Sequence, residues 1–309
     1  MRILITGAGG FVGSYAARQL LADGHELALL LRPRSNPWRI RDVLLRTQVI
    51  AGDMNRLSNV RREIKAFRPE TVVHCAWQGV GNGARNDAAQ DTNIIAALEL
   101  VNIAARAGAR NWIGIGSQAE YGPCSKRIVE DFPPRPTTRY GQAKLATYRE
   151  ADKLCEELGV RFAWLRLFST YGPGDDPTWL IPYLAGILLR GERPVVTAGE
   201  QFWDYIYISD VATAIARVVE REEARGVFNL GSGATATIRS IIEQVGALID
   251  PRLPIGFGEA PYRPDQVMHL EADISRLTAL GWRPQVELHE GLAMAVAWYR
   301  QQASQTLAA

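Results

Sequence analysis

Short apolar runs alternate with amphipathic segments along the first half of the chain. Runs rich in Val, Ile and Leu predict buried strands, one beginning at residue 3 and others at 26–31, 48–51, 71–76, 111–116 and 161–167. Apolar residues at helical spacing predict helices at 11–23, 87–107 and 138–158. This alternation predicts an α/β fold with a doubly wound parallel sheet, in which ligands bind at the carboxyl ends of the strands.

The second half of the chain has a less regular pattern. Helices are predicted at 178–190, 237–249 and 289–299, with a short strand at 194–196. Residues 301–309 have no core-forming pattern, so we expect them to lack a fixed structure. The sequence contains neither an internal repeat nor a long linker.

A glycine-rich turn follows the first predicted strand. Gly7 permits a tight turn, Gly10 lets the backbone approach phosphate groups, and Gly13 lets the next helix pack on the sheet. The amide groups and the dipole of that helix favour an anion. The spacing G-x-x-G-x-x-G therefore predicts a site for a dinucleotide pyrophosphate, with a purely structural glycine turn as the alternative.

The end of the second predicted strand bears on the choice of cofactor. NAD-binding sites usually have a carboxylate there, whereas this chain has Arg32, Arg34 and Ser35. A guanidinium pairs with a 2′-phosphate, which a carboxylate would repel. The loop therefore favours NADP(H) over NAD(H), unless these arginines are simply solvated charges.

Other polar residues follow or flank the remaining predicted strands. Asp53 comes after the third strand, where it either faces an adenine or caps the next helix. Ser117 comes at the end of the fifth strand. Tyr140 and Lys144, spaced i, i+4, share one face of a helix. His74 is expected to be a packed residue at a strand end and not a catalyst.

The composition narrows the class of function. Of 309 residues, 47% are apolar, and the net charge is +2 with dispersed Lys and Arg. These values give no reason to expect nucleic-acid or membrane binding, and they favour small-molecule chemistry. The spacing of three cysteines and four histidines predicts neither disulfides nor a metal site. Without a signal-peptide pattern, we expect a cytoplasmic protein.

The ordered motifs resemble those of the extended short-chain dehydrogenases/reductases, in the branch that acts on nucleotide-linked sugars. Beside the glycine turn, the chain has Ser117 in the segment GSQAEYG and the motif Tyr140-x-x-x-Lys144. Further matching segments are 166–173, 204–211, 228–231 and 263–265. Because these motifs occur in the family's order and span nearly the whole chain, the resemblance is specific.

The resemblance implies a domain organisation and a cofactor site. A dinucleotide-binding domain would comprise 1–168, with 205–232 returning to it, and a smaller, interrupted C-terminal substrate domain would comprise 169–204 and 233–309. A homodimer would form through the helices after the fourth and fifth strands. The implied cofactor-binding residues are Gly7, Gly10, Phe11, Val12, Gly13, Arg32, Arg34, Ser35, Asp53, Met54, Ala76, Tyr140 and Lys144.

The resemblance also implies roles for three catalytic residues. Tyr140 would donate a proton to a substrate carbonyl oxygen, Ser117 would hydrogen-bond that oxygen, and Lys144 would bind the nicotinamide ribose. The reference pKa of tyrosine is about 10, so Lys144 and an oxidised nicotinamide would be needed to favour the phenolate. An exposed pair on a helix, with no catalytic role, is the alternative.

Departures from the family pattern point to a reaction. Related dehydratases carry an Asp-Glu pair after the hydroxyl residue, where this chain has Gln118 and Ala119, and this disfavours elimination of water. Together with the arginines after the second strand, this predicts NADPH-dependent reduction of the 4-keto group of a nucleotide-linked 4-keto-6-deoxyhexose. An NAD-dependent nucleotide-sugar epimerase and a non-catalytic NADP-binding redox sensor are the alternatives.

The predicted substrate-binding residues include two departures from the family. Members usually have Asn at the position of Ser169 and Arg at that of Trp203, both near the diphosphate, so a cation is missing here, although Arg263 remains available. Trp203 either stacks on a base or sugar or packs in the core. Trp77 is either a sugar contact or a buried residue. The full predicted set is Trp77, Gln78, Gln118, Ser169, Trp203 and Arg263.

Overall fold

A computed structural model describes residues 1–263 and 266–308. In these residues the strands, in chain order, are β1 (Arg2–Thr6), β2 (Glu26–Leu31), β3 (Gln48–Ala51), β4 (Thr71–His74), β5 (Asn111–Ser117), β6 (Arg161–Leu167), β7 (Ser169–Tyr171), β8 (Val195–Val196), β9 (Phe202–Trp203), β10 (Tyr205–Tyr207), β11 (Gly226–Leu230), β12 (Ala236–Thr237), β13 (Gly256–Phe257) and β14 (His269–Leu270). The α-helices are α1 (Phe11–Ala22), α2 (Arg61–Phe67), α3 (Gln90–Arg106), α4 (Arg139–Glu157), α5 (Leu180–Leu189), α6 (Ile208–Glu220), α7 (Ile238–Ile249), α8 (Ser275–Ala279) and α9 (Leu288–Ala308).

Seven parallel strands form the central sheet in the order β11, β6, β5, β4, β1, β2, β3. The strand β1 lies between β2 and β4, so the order of the strands reverses on its two sides. Ile5 is in register with Leu29 of β2 and with Val73 of β4. The doubly wound parallel sheet is therefore confirmed, and its switch point lies beside the glycine turn.

Two apolar layers cover the faces of this sheet. Ile3 and Ile5 belong to the core on one face, and Leu4 between them belongs to the core on the other. This follows from the alternation of side chains along a strand. The first layer contains apolar residues of α1 and α6, and the second contains those of α3 and α4. The sheet is therefore buried on both faces, as its continuous apolar runs predict.

Smaller sheets form in the second half of the chain. The strand β7 pairs with β10, β9 lies between β12 and β14, and β8 pairs with β13. Within the predicted returning segment 205–232, β11 joins the central sheet at its edge. The division of the chain into two domains stays a prediction. None of the helices described here has an apolar stretch long enough to cross a bilayer.

Several element bounds differ from the sequence prediction. The strands β2, β3 and β6 have the predicted bounds, whereas α3 begins three residues later than predicted. The larger difference is at the C-terminus, where α9 continues to Ala308 instead of ending at Tyr299. The expectation that 301–309 lacks a fixed structure is wrong for 301–308, because Gln and Ala are good helix formers and no stop signal follows Tyr299. Ala309 lies outside the described residues.

Candidate active site

The glycine turn joins β1 to α1 at the carboxyl edge of the sheet. Gly7 has a φ of +71°, and a Cβ here would come within 2.6 Å of the amide nitrogen of Ala76. A Cβ on Gly13 would collide with the carbonyl of Gly7. Gly10 precedes α1, whose first turn has no side-chain cap. The backbone therefore leaves room and unpaired amide groups for an anion, which fits the pyrophosphate of a dinucleotide.

Ser117, Tyr140 and Lys144 line one cleft of about 440 Å³. Ser117 ends β5, Tyr140 lies in the first turn of α4, and Lys144 follows one turn later. Thr138 starts this helix, since its hydroxyl accepts a hydrogen bond from the amide of Gly141 at 3.1 Å. The hydroxyl of Ser117 lies close enough to the phenol of Tyr140 to lower its pKa. The structure thus brings the three predicted catalytic side chains together.

The environment of the cleft changes the proton affinities of Tyr140 and Lys144. Burial raises the pKa of Tyr140, while the hydrogen bond from Ser117 and the charge of Arg85 lower it. Burial lowers the pKa of Lys144 to about 7. The Lys144 amine donates to the carbonyl of Ile115 at 2.6 Å. The phenol is therefore protonated near neutral pH, and Arg85 is a cation beside it that the sequence motifs do not identify.

A buried ion pair lies behind Ser117. Glu120 accepts a hydrogen bond from the backbone amide of Ser117 at 2.8 Å and forms a capping box with it. The Glu120 carboxylate also pairs with Arg166 at 2.7 Å and accepts from the indole of Trp164 at 3.0 Å. The spacing Ser-x-x-Glu is the sequence signal for this box, and it went unused in the sequence analysis. Glu120 thereby fixes the backbone that carries the catalytic hydroxyl.

The glycine-turn residues that are predicted to bind the cofactor lie between the end of β1 and the first turn of α1. Phe11 and Val12 line the same cleft as the catalytic residues. The amide of Ala76 donates to the hydroxyl of Thr6 at 3.2 Å, directly beside the turn. Met54 packs against the apolar layer of α3 and α4. Ala76 and Met54 line neither of the two cavities described here, and the binding of the cofactor by all these residues stays a prediction.

The residues predicted to select the cofactor are arranged differently. Asp53 lines a second cavity of about 460 Å³, and its carboxylate accepts from the amide of Asn55 at 2.9 Å, so it caps the following turn. Arg32, Arg34 and Ser35 are exposed and line neither cavity. The hydroxyl of Ser35 donates to the carbonyl of Arg32 at 2.8 Å. The contact of these arginines with a 2′-phosphate therefore stays a prediction.

The predicted substrate residues divide into two groups. Trp77, Gln118 and Ser169 line the cleft, whereas Gln78, Trp203 and Arg263 do not. The indole of Trp203 donates to the hydroxyl of Ser169 at 2.6 Å, and its ring packs against the core. Packing therefore explains Trp203. The motif residues Pro264 and Asp265 lie outside the described residues.

Comparison with known proteins identifies the family. The model of the NAD dependent epimerase/dehydratase family matches residues 3–231. The chain belongs to this family. A UDP-glucose 4-epimerase from Mycolicibacterium smegmatis is 27% identical over 97% of this chain and 99% of its own length. Other relatives of the chain are named as dehydratases and reductases of nucleotide sugars. The resemblance to the extended short-chain dehydrogenases/reductases is thus confirmed.

Two solved structures of epimerases are similar to this chain over nearly its whole length. The UDP-glucose 4-epimerase of Thermotoga maritima, solved with UDP-glucose, has a TM-score of 0.90 and 26% identity, covering 98% of this chain and 100% of its own. The Thermus thermophilus UDP-glucose 4-epimerase, solved with NAD, has a TM-score of 0.86 and 27% identity, covering 97% and 99%. The fold and the nicotinamide cofactor class of the family therefore apply to the chain.

Several residues that line the cleft are not indicated by any of the sequence motifs described above. Arg39, Arg85, Asp175 and Trp179 all line it. Each lies in a loop or at a helix start, where no periodic pattern or motif indicates which side chains reach a site. The only usable signal is position, since loops after strands at the carboxyl edge of a parallel sheet carry functional residues.

Trp77 is held at the wall of the cleft by Gln90. The indole of Trp77 donates to the side-chain carbonyl of Gln90 at 2.8 Å. The amide nitrogen of Gln90 donates in turn to the carbonyls of Gly79 and Ala84, at 2.7 and 2.9 Å. The ring of Trp77 meets Tyr140 edge to face, with 6.0 Å between centroids. Trp77 is thus both packed and exposed to the cleft, so a sugar contact stays a prediction.

We expect the free energy of unfolding of the Asp175→Asn variant to depend less on pH than that of the wild type. Burial raises the pKa of Asp175 from its ordinary 3.8 to about 7. Because the folded state holds this proton more tightly, ionisation favours unfolding as the pH rises from about 4 to about 7. A shift of about 3 units corresponds to roughly 4 kcal/mol. At pH 8 the variant should therefore have the larger free energy of unfolding, by up to that amount, in denaturant titrations.

The neighbouring Asp176 provides a control with the opposite sign. It is exposed, and hydrogen bonds from Thr178 lower its pKa. The Asp176→Asn variant should therefore be slightly less stable at neutral pH, with a difference that disappears as the pH falls below the ordinary value of a carboxyl group. Equal slopes of stability against pH for Asp175→Asn and the wild type would contradict the assignment.

Proposed function

We propose that this enzyme reversibly oxidises and reduces C4 of a nucleotide-linked sugar, with 4-epimerisation as the net reaction and NAD as the cofactor. The observation that carries the proposal is the meeting of Ser117, Tyr140 and Lys144 in one cleft beside the glycine turn. Gln118 and Ala119 stand where dehydratases carry an acidic pair, so the site is suited to proton and hydride exchange without loss of water. The epimerase relatives support this choice over a reductase.

The residues of the cleft fit the proton chemistry of this reaction. The turn from Gly7 to Gly13 would hold the pyrophosphate of the cofactor, and Lys144 would bind its ribose. A bound nicotinamide supplies the acceptor and donor of hydride. Tyr140 would take the proton of the 4-hydroxyl during oxidation and return it during reduction, while Ser117 hydrogen-bonds the same oxygen. The charge of Arg85 lowers the pKa of Tyr140 and so favours the phenolate that accepts this proton in the oxidation.

The second candidate is NADPH-dependent reduction of a 4-keto-6-deoxyhexose attached to a nucleotide. It is favoured by Arg32 and Arg34, which occupy the end of β2 where NAD sites usually have a carboxylate. It ranks second because both arginines are exposed and line neither cavity. A non-catalytic redox sensor ranks third, since the chain retains the tyrosine and the lysine that such a protein does not need.

Product analysis of the purified enzyme separates these candidates. We expect conversion of UDP-glucose to UDP-galactose without net consumption of added cofactor, and release of NAD on denaturation. Chromatography of nucleotide sugars and absorbance of the reduced cofactor measure both. Stoichiometric NADPH oxidation by a nucleotide-linked 4-keto-6-deoxyhexose, with no epimerisation, would instead establish the reductase. Neither reaction, with intact cofactor binding, would favour the sensor.

We also propose a cytoplasmic homodimer. The cysteines Cys75, Cys124 and Cys155 of the chain are free, which suits the reducing environment of the cytoplasm.

The helices α3 and α4 are the proposed dimer interface. Ile95 on α3 is 69% exposed, which is unusual for a large apolar side chain. Sedimentation of the wild type and of an Ile95→Glu variant tests the oligomeric state.

A further inference from the structure

We propose that Arg85 receives an oxyanion of the substrate, either a phosphate of the nucleotide diphosphate or a carboxylate on the sugar. In this role Arg85 supplies, from the loop after β4, the positive charge that sugar-nucleotide members usually carry at the position of Trp203. The inference rests on the proposed function in one respect, which is that the ligands of the cleft are nucleotide sugars. The family motifs described under Sequence analysis do not include this loop arginine.

The guanidinium of Arg85 lies between two aromatic rings of the cleft. Its Cζ is 5.0 Å from the ring centroid of Tyr140 and 5.7 Å from that of Trp179. Its Nε donates to the carbonyl of Val80 at 3.1 Å. Among the described residues, the two terminal nitrogens of the Arg85 guanidinium find no hydrogen-bond acceptor, and Arg85 forms no ion pair with a carboxylate. The fork of the guanidinium is therefore available to a ligand in the cleft.

The loop places this guanidinium in a fixed relation to the catalytic helix. The carbonyl of Arg85 accepts a hydrogen bond from the amide of Tyr140 at 2.8 Å. The next residue, Asn86, accepts from the amide of Arg139 at 3.1 Å. These two hydrogen bonds hold the backbone of Arg85 against the first turn of α4, which carries the reacting phenol. An anion bound by Arg85 would thus position the sugar against Tyr140.

The charges around Arg85 favour an anion. Burial lowers the pKa of Arg85, the phenol of Tyr140 raises it, and the nearby positive charge of Arg263 lowers it. A half-buried cation that faces another cation costs free energy, which an oxyanion between or beside them would offset. Arg263 is exposed and does not line the cleft, whereas Arg85 lines it close to Tyr140, so a ligand in contact with Tyr140 is within reach of Arg85.

Trp203 and Ser169 contact each other and leave the predicted diphosphate site without the positive charge that the family usually has there. The indole nitrogen of Trp203 already donates to Ser169 at 2.6 Å, and the ring packs against the core. Neither residue brings positive charge to the diphosphate, where the family usually has arginine and asparagine. Arg85 lines the same cleft as Ser169 and supplies positive charge there without an ion pair to a carboxylate.

The test compares ligand binding by the wild type and the Arg85→Gln variant. The probes are inorganic pyrophosphate, UDP, UDP-glucose and UDP-glucuronate, and calorimetry gives each dissociation constant. We expect Arg85→Gln to weaken binding of an anionic probe by about 10- to 100-fold, since a charge-assisted pair is lost. Weaker binding of pyrophosphate and UDP identifies the diphosphate as the ligand. A loss confined to UDP-glucuronate identifies the sugar carboxylate.

Two further variants make the outcome decisive. Arg85→Lys keeps the charge without the fork and should recover part of the affinity, which also controls for misfolding. Arg135→Gln removes an equal charge from an exposed side chain outside the cleft and should leave binding unchanged. Unchanged binding of all probes by Arg85→Gln, or an equal loss in Arg135→Gln, overturns the proposal. Normal binding with an altered pH profile of turnover also overturns it, since Arg85 would then act on Tyr140.

Pyrophosphate and UDP carry no sugar that could react, so their binding is measured without turnover and the two proposals fail separately. If the wild type binds UDP-glucose in an Arg85-dependent way but forms no UDP-galactose, the epimerase proposal fails and the role of Arg85 stands. If turnover occurs and Arg85→Gln binds every probe normally, the role of Arg85 fails and the epimerase proposal stands.

Discussion

The Tyr140→Phe variant is expected to lose turnover by a factor of about 100 to 10,000, the range for removal of a general acid–base group. The phenol hydroxyl is the only group lost. The ring can keep its edge contact with Trp77 and its place under Arg85, so the fold and nucleotide binding should persist. Steady-state kinetics and a UDP-glucose binding isotherm, measured on the same preparation, check both halves of the expectation.

Tyr148→Phe is the matched control on the same helix. The ring of Tyr148 packs on Phe162 and Trp164 at about 6 Å, and the residue does not line the cleft. Its loss of a phenol hydroxyl should change turnover by less than about twofold. If Tyr140→Phe retained turnover like that of Tyr148→Phe, proton transfer by Tyr140 would be excluded.

The Glu120→Ala variant should lower the free energy of unfolding by about 3 to 5 kcal/mol. Glu120 and Arg166 are 0% and 3% exposed, so removal of the carboxylate leaves a buried guanidinium without its partner. The indole of Trp164 and the amide of Ser117 lose their acceptor as well. Denaturant titration monitored by tryptophan fluorescence measures the change.

A double variant separates the buried charge from the other losses. Replacing Glu120 by Leu and Arg166 by Met removes both charges and leaves apolar side chains of similar size. It should be more stable than Glu120→Ala, because no charge remains unpaired. The Ser117 cap is still missing, so turnover should stay low. A Glu120→Ala variant within about 1 kcal/mol of the wild type would show that water reaches Arg166 and replaces the carboxylate.

Local pattern was sufficient to predict six of the seven strands of the central sheet, β11 being the strand that it did not predict. The strands β2 and β6 have the predicted bounds because each is an apolar run ended by turn-forming residues. The strand β4 and helix α3 differ at their ends, since the intervening loop is held by side chains such as Gln90. The C-terminal end of α9 was missed because residues after Tyr299 continue the helix on propensity, without an apolar stripe.

The meeting of the three proposed catalytic residues was predictable for a different reason. Tyr140 and Lys144 are spaced by a helical turn, and Ser117 ends a strand, so their meeting depends on regular geometry. The position of Arg85 depends on the path of a loop, and the contact of Trp203 with Ser169 joins residues 34 positions apart. A sequence pattern gives the charge and size of such residues but not the direction of the backbone that carries them.

The Gln90 amide fixes three separate points of the rim: the indole of Trp77 and the carbonyls of Gly79 and Ala84. A carboxamide does not titrate, so these three attachments persist over the pH range in which Lys144 and Asp175 change charge. The contour of the opening and its electrical potential are consequently set by different groups. An engineer could retune either property while leaving the other as it is.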